Sequence, residues 1–224
     1  MTHQTADLEW RDARIPVSRQ FDDPYFSLDD GLAETDHVFL QGNGIPARLS
    51  APLSIAELGF GTGLNFLATW SAHIASGSSA PLTFTSFEAF PMSAQDMAAA
   101  LAAFPQLTDL AQPLVQMVEA GHWQMQHGPI SLSVIIGDAR MTLPAWQGKA
   151  DAWYLDGFSP AKNPELWQAD LMAEVAAHTT AGGTLATYTA AGHVRRALAA
   201  AGFEVTRTPG FGRKRHMTRA RMPA

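Results

Sequence analysis

Short apolar runs alternate along this chain with stretches whose apolar positions recur every three or four residues. The runs Leu53–Leu58, Leu82–Glu88, Ile130–Ile136, Ala152–Asp156 and Thr184–Thr189 have the length of buried strands. Between them, Leu64–Ile74, an alanine-rich region from Ser93 to Phe104 and Pro164–His178 carry helical patterns, and Ala190–Ala200 follows the fifth strand as another helix. This βα rhythm predicts an α/β fold, a mostly parallel sheet flanked by helices. Phe203–Thr208 and Arg215–Arg221 flank Pro209-Gly-Phe-Gly212 and predict a terminal antiparallel pair, which brings the sheet to seven strands.

Residues 1–50 follow a different rule. Ile15–Phe21 has the pattern of a short strand, while Tyr25–Gly31 and His37–Gly44 mix aromatic residues with turn formers. They read as an N-terminal cap laid on a core spanning residues 51–224. Most of its aromatics are expected to pack the cap, with some available to line a pocket.

Ile55-Ala-Glu-Leu-Gly-Phe-Gly-Thr-Gly63 joins the first core strand to the first helix. A sharp strand-to-helix turn uses residues without a Cβ, and the new helix begins with unpaired N–H groups. The spacing Gly59-x-Gly61-x-Gly63 differs from the dinucleotide fingerprint G-x-G-x-x-G with an acid about 20 residues later. Here Glu57 precedes the glycines, and the next acid, Glu88, comes 31 residues after it. An acid beside the turn suits a cationic ligand and opposes a phosphate. The turn resembles the cofactor loop of S-adenosylmethionine-dependent methyltransferases, and a plain tight turn is the alternative.

Ligands of open α/β sheets sit beyond the carboxyl ends of the strands. Glu57, Glu88, Asp138 and Asp156 end or nearly end the first four core strands, so four carboxylates could converge on one crevice. Glu88 has two acceptor oxygens for neighbouring ribose hydroxyls. Asp138 could receive an adenine amine, with Ala139 leaving room for the ring, or cap the helix that follows. In Trp153–Trp167, Asp156 follows an apolar strand, Gly157 permits a turn, and Phe158 could stack on a planar substrate. Asp156 could accept an N–H from a substrate amine and aim its lone pair at an electrophilic methyl, acting by position or as a base. Turn capping by Asp156 and Asn163, with Phe158 in the core, is the structural alternative.

Charge is unevenly distributed. Residues 195–224 hold eight of the fifteen Lys and Arg residues and one acid, giving +7 against −13 for the rest. A basic face could therefore meet phosphate despite a net charge of −6, and a solvated tail explains the same composition. With no cysteine, disulfide and thiolate chemistry are excluded. His122, His127 and His193 lack metal-ligand spacing, so no metal is expected. No basic-then-apolar leader or run of 18 apolar residues is found, so no membrane association and a cytoplasmic location are expected.

Several ordered segments together carry a more specific likeness. They are Tyr25-Phe-Ser, Val38-Phe-Leu-Gln-Gly-Asn43, Glu57–Leu67, Phe87-Glu-Ala-Phe-Pro91, Gly137-Asp138, Leu155–Pro164, Gly182–Tyr188 and Gly210–Arg215. In these the chain resembles, over nearly its full length, the methyltransferase domain of the bacterial MnmC tRNA-modification proteins and their stand-alone MnmD-like relatives. The resemblance implies a class I Rossmann-like fold and S-adenosyl-L-methionine as methyl donor. The substrate would be the aminomethyl group of a modified wobble uridine in tRNA. It assigns Glu57, Gly59, Gly61, Gly63 and Asn65 to the cofactor loop, Glu88 to the ribose, Asp138 to the adenosine, and Asp156 with Phe158 to the substrate. Lys162, Arg195, Arg196, Arg213, Lys214 and Arg215 are candidates for tRNA phosphates, Lys162 having a surface ion pair as its alternative. The bifunctional relatives also carry a flavin-dependent oxidase domain. No second glycine fingerprint is present, so methylation without FAD chemistry is expected.

Overall fold

Strands alternate their side chains between two faces, and here both faces are buried. The computed structural model describes residues 4–12, 14–27 and 30–224. Leu28 and Asp29 of the turn-rich Tyr25–Gly31 stretch lie outside the described residues.

The chain opens with a small antiparallel sheet of β1 (Leu8–Arg11), β2 (Ile15–Ser18) and β3 (Asp23–Pro24). A short helix α1 (Gly31–Thr35) runs into a π-helical turn over Asp36–Gln41 and a 3-10 turn over Ile45–Arg48. The core then follows as β4 (Leu53–Leu58), α2 (Leu64–Ala75), β5 (Leu82–Glu88), α3 (Ala94–Leu101), α4 (Thr108–Glu119), β6 (Gln124–His127) and β7 (Ile130–Ile136). It continues with α5 (Ala139–Thr142), β8 (Ala150–Leu155), α6 (Ala169–Ala177), β9 (Thr179–Thr187), α7 (Gly192–Ala200), β10 (Glu204–Pro209) and β11 (His216–Arg221).

The large sheet runs β10-β11-β9-β8-β4-β5-β7-β6. Its five middle strands are parallel, and β11, β10 and β6 are antiparallel additions at the edges. The seven strands of the sequence pattern are all present, and β6 is an eighth, a polar Gln-Met-Gln-His edge strand with no apolar run to announce it. After β4 the chain moves outward through β5 and β7, then returns to place β8 on the other side of β4. That reversal opens a crevice beyond the ends of β4 and β8.

Alternation along the strands divides the core in two. Ile55 of β4 and Ala152 and Tyr154 of β8 join one cluster, with Phe66, Trp70 and Phe84. Ala56, Leu58, Trp153 and Leu155 face the other, with Trp167, Leu171 and Val175. Each fully buried large side chain contributes roughly 1.5–3 kcal/mol against exposure.

Two departures from the hydrophobic pattern have local causes. Helix α4 interrupts its own signal with Pro113, which removes one backbone bond. Its buried Ala111, Leu114, Met117 and Val118 still recur at helical spacing. Strand β9 starts at Thr179, before the predicted Thr184, through a register shift between its pairs with Ala150 and Ala152. Gly182, at φ +73°, lies in that irregular stretch, where Thr and Gly replace apolar residues.

The N-terminal region is tied into this core. Asn43 Nδ2 donates to the Trp153 carbonyl (3.2 Å), and Arg48 donates to Thr184 Oγ1 (2.9 Å) and the Asp151 carbonyl (3.0 Å). Val38, Phe39 and Leu40 are buried in the first cluster.

Candidate active site

The glycine turn follows β4 directly, and its backbone requires glycine at three points. Gly59, Gly61 and Gly63 have φ values of +91°, +53° and +78°. A Cβ on Gly59 would stand 2.3 Å from the Asp156 carbonyl oxygen. The close approach brings the ends of β4 and β8 together, and Asp156 N donates to the Leu58 carbonyl (3.1 Å). A Cβ on Gly61 would meet the Tyr25 ring at 3.1 Å. Gly63 serves the start of α2, its open side filled by Leu114 and Phe60.

A cavity of about 1060 Å³ lies over this turn. Gly59, Gly61, Asn65, Glu88, Asp138, Asp156 and Phe158 all line it. That volume is at the top of the range for small-ligand sites, enough for more than one drug-sized group.

Asn65 organises the floor. Its amide donates to Glu57 Oε1 (2.8 Å) and Asp156 Oδ2 (2.6 Å), while its oxygen accepts from Thr35 Oγ1 (2.8 Å). Reversing the amide would aim its oxygen at two carboxylates, so the network fixes its orientation. Glu57 is fully buried behind Asn65, and Ser86 Oγ donates to its second oxygen at 2.7 Å. Burial pushes its carboxyl well above the ordinary range against those two hydrogen bonds, and the charges of Asp156 and Glu88 add to the rise. The structure therefore sets Glu57 behind the cavity as the anchor of Asn65.

Glu88 is buried at the end of β5. The Gly61 and Phe90 N–H groups donate to its two oxygens at 2.9 and 2.7 Å. Burial raises its pKa, and these backbone donors oppose the rise. Asp138 caps α5 by accepting from Arg140 N (2.9 Å) and also pairs with the Arg140 guanidinium (2.6 Å). That guanidinium holds its carboxyl below the ordinary range. Of the two roles open to Asp138 in the sequence, the capping one is present in the fold.

Asp156 is half-buried, and desolvation raises its pKa from 3.8 to about 7. The Asn65 hydrogen bond opposes that rise, Glu34 adds to it and Lys214 reduces it. Its loop is held at successive carbonyls, with Tyr188 Oη donating to Gly157 (2.7 Å) and Trp167 Nε1 to Phe158 (2.9 Å). The Phe158 ring stacks on Phe21 (4.8 Å between centroids) and meets Tyr25 edge-on (5.0 Å), so two cap aromatics and one loop aromatic share a wall.

The basic candidates separate into three settings. Lys162 pairs with Asp22 (2.9 Å) and lies 3.8 Å from Asp23, and Asp23 also accepts from Ser159 N (2.7 Å), which fastens β3 to the Asp156 loop. Arg213 and Lys214 line the cavity, and Lys214 sits 4.2 Å over the Tyr188 ring. Arg215 and Arg195 lie near His216, whose pKa falls through desolvation first and then the charges of Arg207, Arg215 and Arg195. Arg196 is on α7. Phe211 packs against the core beside His37.

Sequence reasoning did not assign Glu34, Thr35, Arg140 or Tyr188 to this site. Glu34 and Thr35 come from a five-residue helix with too little periodicity to signal a buried face, and they meet the other residues only through folding. Among the described residues, no group of three or more His, Asp or Glu side chains is placed to hold a metal, and no helix is long and apolar enough to cross a membrane.

The geometry fits a sulfonium nucleoside. The glycine turn closes on the Asp156 loop with no room for a Cβ at Gly59, Glu88 lines the cavity at the end of β5, and among the described lining residues six acids outnumber three basic side chains. Comparison with known proteins agrees. Residues 105–223, more than half of the chain, match the profile of a family described as S-adenosyl-L-methionine-dependent methyltransferase. The chain is also 44% identical over 230 residues to the tRNA 5-methylaminomethyl-2-thiouridine biosynthesis bifunctional protein MnmC of Stutzerimonas stutzeri, covering 98% of this chain and 35% of that protein. The Aeromonas hydrophila protein of the same name is 47% identical over 229 residues, covering 95% and 34%. The chain thus spans about a third of the length of these curated relatives. A crystal structure of MNMC2 from Aquifex aeolicus superposes with a TM-score of 0.80 at 24% identity, covering 99% of this chain and 73% of that one, and shares its fold. The profile match begins just before α4, after the glycine turn, whereas the matches to the curated relatives cover 95–98% of the chain, turn included: the chain is a member of the S-adenosyl-L-methionine-dependent methyltransferase family.

Proposed function

We propose that this chain N-methylates the 5-aminomethyl group of (2-thio)uridine at the wobble position of tRNA, giving the 5-methylaminomethyl nucleoside. The observation that carries this reading is Asp156, a carboxyl with a pKa of about 7 held by Asn65 in the cavity above the glycine turn. The tRNA substrate class is supported by the similarity to MnmC proteins, whose name specifies that nucleoside.

Bound over the turn, S-adenosyl-L-methionine supplies an electrophilic methyl on a sulfonium. Gly59 lets the turn close against the Asp156 loop and Gly61 clears the Tyr25 ring, which shapes the backbone under the cofactor, and Glu88 retains lone pairs for ribose hydroxyls beside its two backbone donors. Asp138 and Ala139 border the adenosine side, with Asp138 shared between Arg140 and the ligand. Gly63 and Glu57 act from behind, one by starting α2 and the other by orienting Asn65.

An alkylamine reaches the site mostly as the ammonium and must lose a proton before its lone pair can attack. Asp156 accepts from that group and, ionised above about pH 7, can take its proton. Phe158 with Phe21 and Tyr25 offers an aromatic wall for the uracil ring. Residues 1–50 act as a cap on the same domain, and Lys162 secures it through Asp22 and Asp23. Arg213, Lys214 and Arg215, with Arg195 and Arg196, receive tRNA phosphates near the cavity, and the reaction belongs in the cytoplasm with its substrate.

The test uses labelled methyl donor and tRNA from cells that leave the aminomethyl group unmethylated. Label in the wobble nucleoside after nuclease digestion is the expected result. Label confined to a protein or a small amine, with none in tRNA, overturns the assignment.

A further inference from the structure

Among the described residues, six acids line the cavity: Asp23, Glu34, Glu88, Asp138, Asp156 and Glu165. Five have partners within the described frame. Asp23 accepts from Ser159 N, Glu88 from two backbone amides, and Asp156 from Asn65. Asp138 and Glu165 share the Arg140 guanidinium. Glu34 differs. Its side chain is only 12% exposed, yet the partner shown for it is Lys214, a 45% exposed lysine in the turn between β10 and β11, at 2.7 Å. A carboxylate so far removed from water requires a cation or donors. Here a long, flexible side chain supplies one from outside the frame.

The placement of Glu34 gives this weakness a use. Gly31, Glu34 and Thr35 of α1 all line the cavity, the i, i+3 and i+4 positions of one helix face. Thr35 donates to Asn65, which in turn donates to Asp156. Glu34 is therefore one residue from the chain of hydrogen bonds that positions Asp156. The charged and titratable groups shown to act with it are Lys214 from the β10–β11 turn, Asp156 at the end of β8 and Tyr188 at the end of β9.

We infer that Glu34 is the ammonium-binding carboxylate of the substrate site and that Lys214 fills its place until a cationic aminomethyl group displaces it. The lysine and the substrate both present a primary ammonium on a methylene carbon, so the pocket that accepts one accepts the other. Two carboxylates then have separate tasks. Glu34 recognises the charged amine and Asp156 handles the proton. Lys214, once released, stands free at the cavity for a nucleic-acid phosphate. This deepens the amine-methyltransferase reading and rests on it.

The test measures binding of the free nucleosides 5-aminomethyluridine and 5-hydroxymethyluridine, one cationic and one neutral, to the full chain with S-adenosylhomocysteine present. Wild type should prefer the amine by about ten- to a hundred-fold, the range for a hydrogen bond to a charged group. Glu34→Gln should abolish that preference while S-adenosylhomocysteine still binds with wild-type affinity. Lys214→Met should tighten amine binding, because the competing ammonium is gone. A Glu34→Gln protein that keeps the preference overturns the inference. So does parallel loss of S-adenosylhomocysteine binding, the mark of a structural role, or weakened amine binding in Lys214→Met. The tRNA-labelling experiment above reads the substrate assignment separately: failure there with the nucleoside preference intact removes tRNA and leaves Glu34 as an amine site.

Discussion

Asp156 gives up stability for its position, and Asp156→Asn makes that cost measurable. In the unfolded chain this carboxyl ionises near 3.8, and in the folded, ligand-free protein near 7. Between those values the folded state binds the extra proton, so rising pH favours the unfolded state. The full rise corresponds to roughly 4 kcal/mol once pH exceeds 7. Asp156 is half-buried in an open cavity with Lys214 acting on it, so about half of that figure, about 2 kcal/mol, is the expected penalty. Asparagine has no charge to desolvate, and its oxygen can still accept from Asn65. For a chain of this size, about 2 kcal/mol corresponds to a melting-temperature difference of about 4–8 °C.

Melting of both proteins at pH 4.5 and pH 8.5, without ligand, checks this. Asp156→Asn should be the more stable at pH 8.5, and the gap should shrink strongly by pH 4.5, where the wild-type carboxyl is protonated when folded. The same variant should lose methyl transfer by about 100-fold or more, the range for a positioned acid–base group. Its remaining rate should lack the rise through pH 7 expected of wild-type kcat/KM. A stability gap that is independent of pH, or a wild type that is the more stable at pH 8.5, would refute the argument that the fold strains to hold this carboxyl.

Asn65→Leu keeps a similar shape but removes three hydrogen bonds and leaves buried Glu57 short of a donor, so it should lower stability by about 2–4 kcal/mol in chemical denaturation and reduce transfer further than cofactor affinity. Gly59→Ala places its methyl 2.3 Å from the Asp156 carbonyl and should destabilise the fold and displace the loop, whereas Gly44→Ala, with φ +62° and nothing within 4 Å, should cost only about 1–2 kcal/mol and leave activity intact; calorimetry with S-adenosylhomocysteine separates the two. Neutralising Arg213 and Arg215 together should flatten the salt dependence of tRNA binding by up to about two in the log–log slope, and Lys162→Met, which breaks a cap contact, should leave that slope unchanged.

What the sequence made legible follows from where the information lies. Apolar runs announce the parallel strands because both faces of each are buried, and an acid at a strand end is readable because the apolar run stops there. The edge strand β6 faces less of the core and carries no such signature, and Pro113 conceals α4. The site divides in the same way. Glu88, Asp138 and Asp156 follow from strand ends, and the glycines from the turn between strand and helix. Their working partners come from elsewhere in the chain: Thr35 is 30 residues from Asn65, and Asn65 is 91 from Asp156. Periodicity has no means of reporting such pairings. Glu57 shows the consequence most clearly. Next to the glycines it reads as a ligand-facing acid, yet the pleat of β4 turns it away from the cavity, and Asn65 relays its effect to Asp156. In this site an acid's adjacency to the loop fixes which network it joins, and the face of the strand decides whether it lines the cavity.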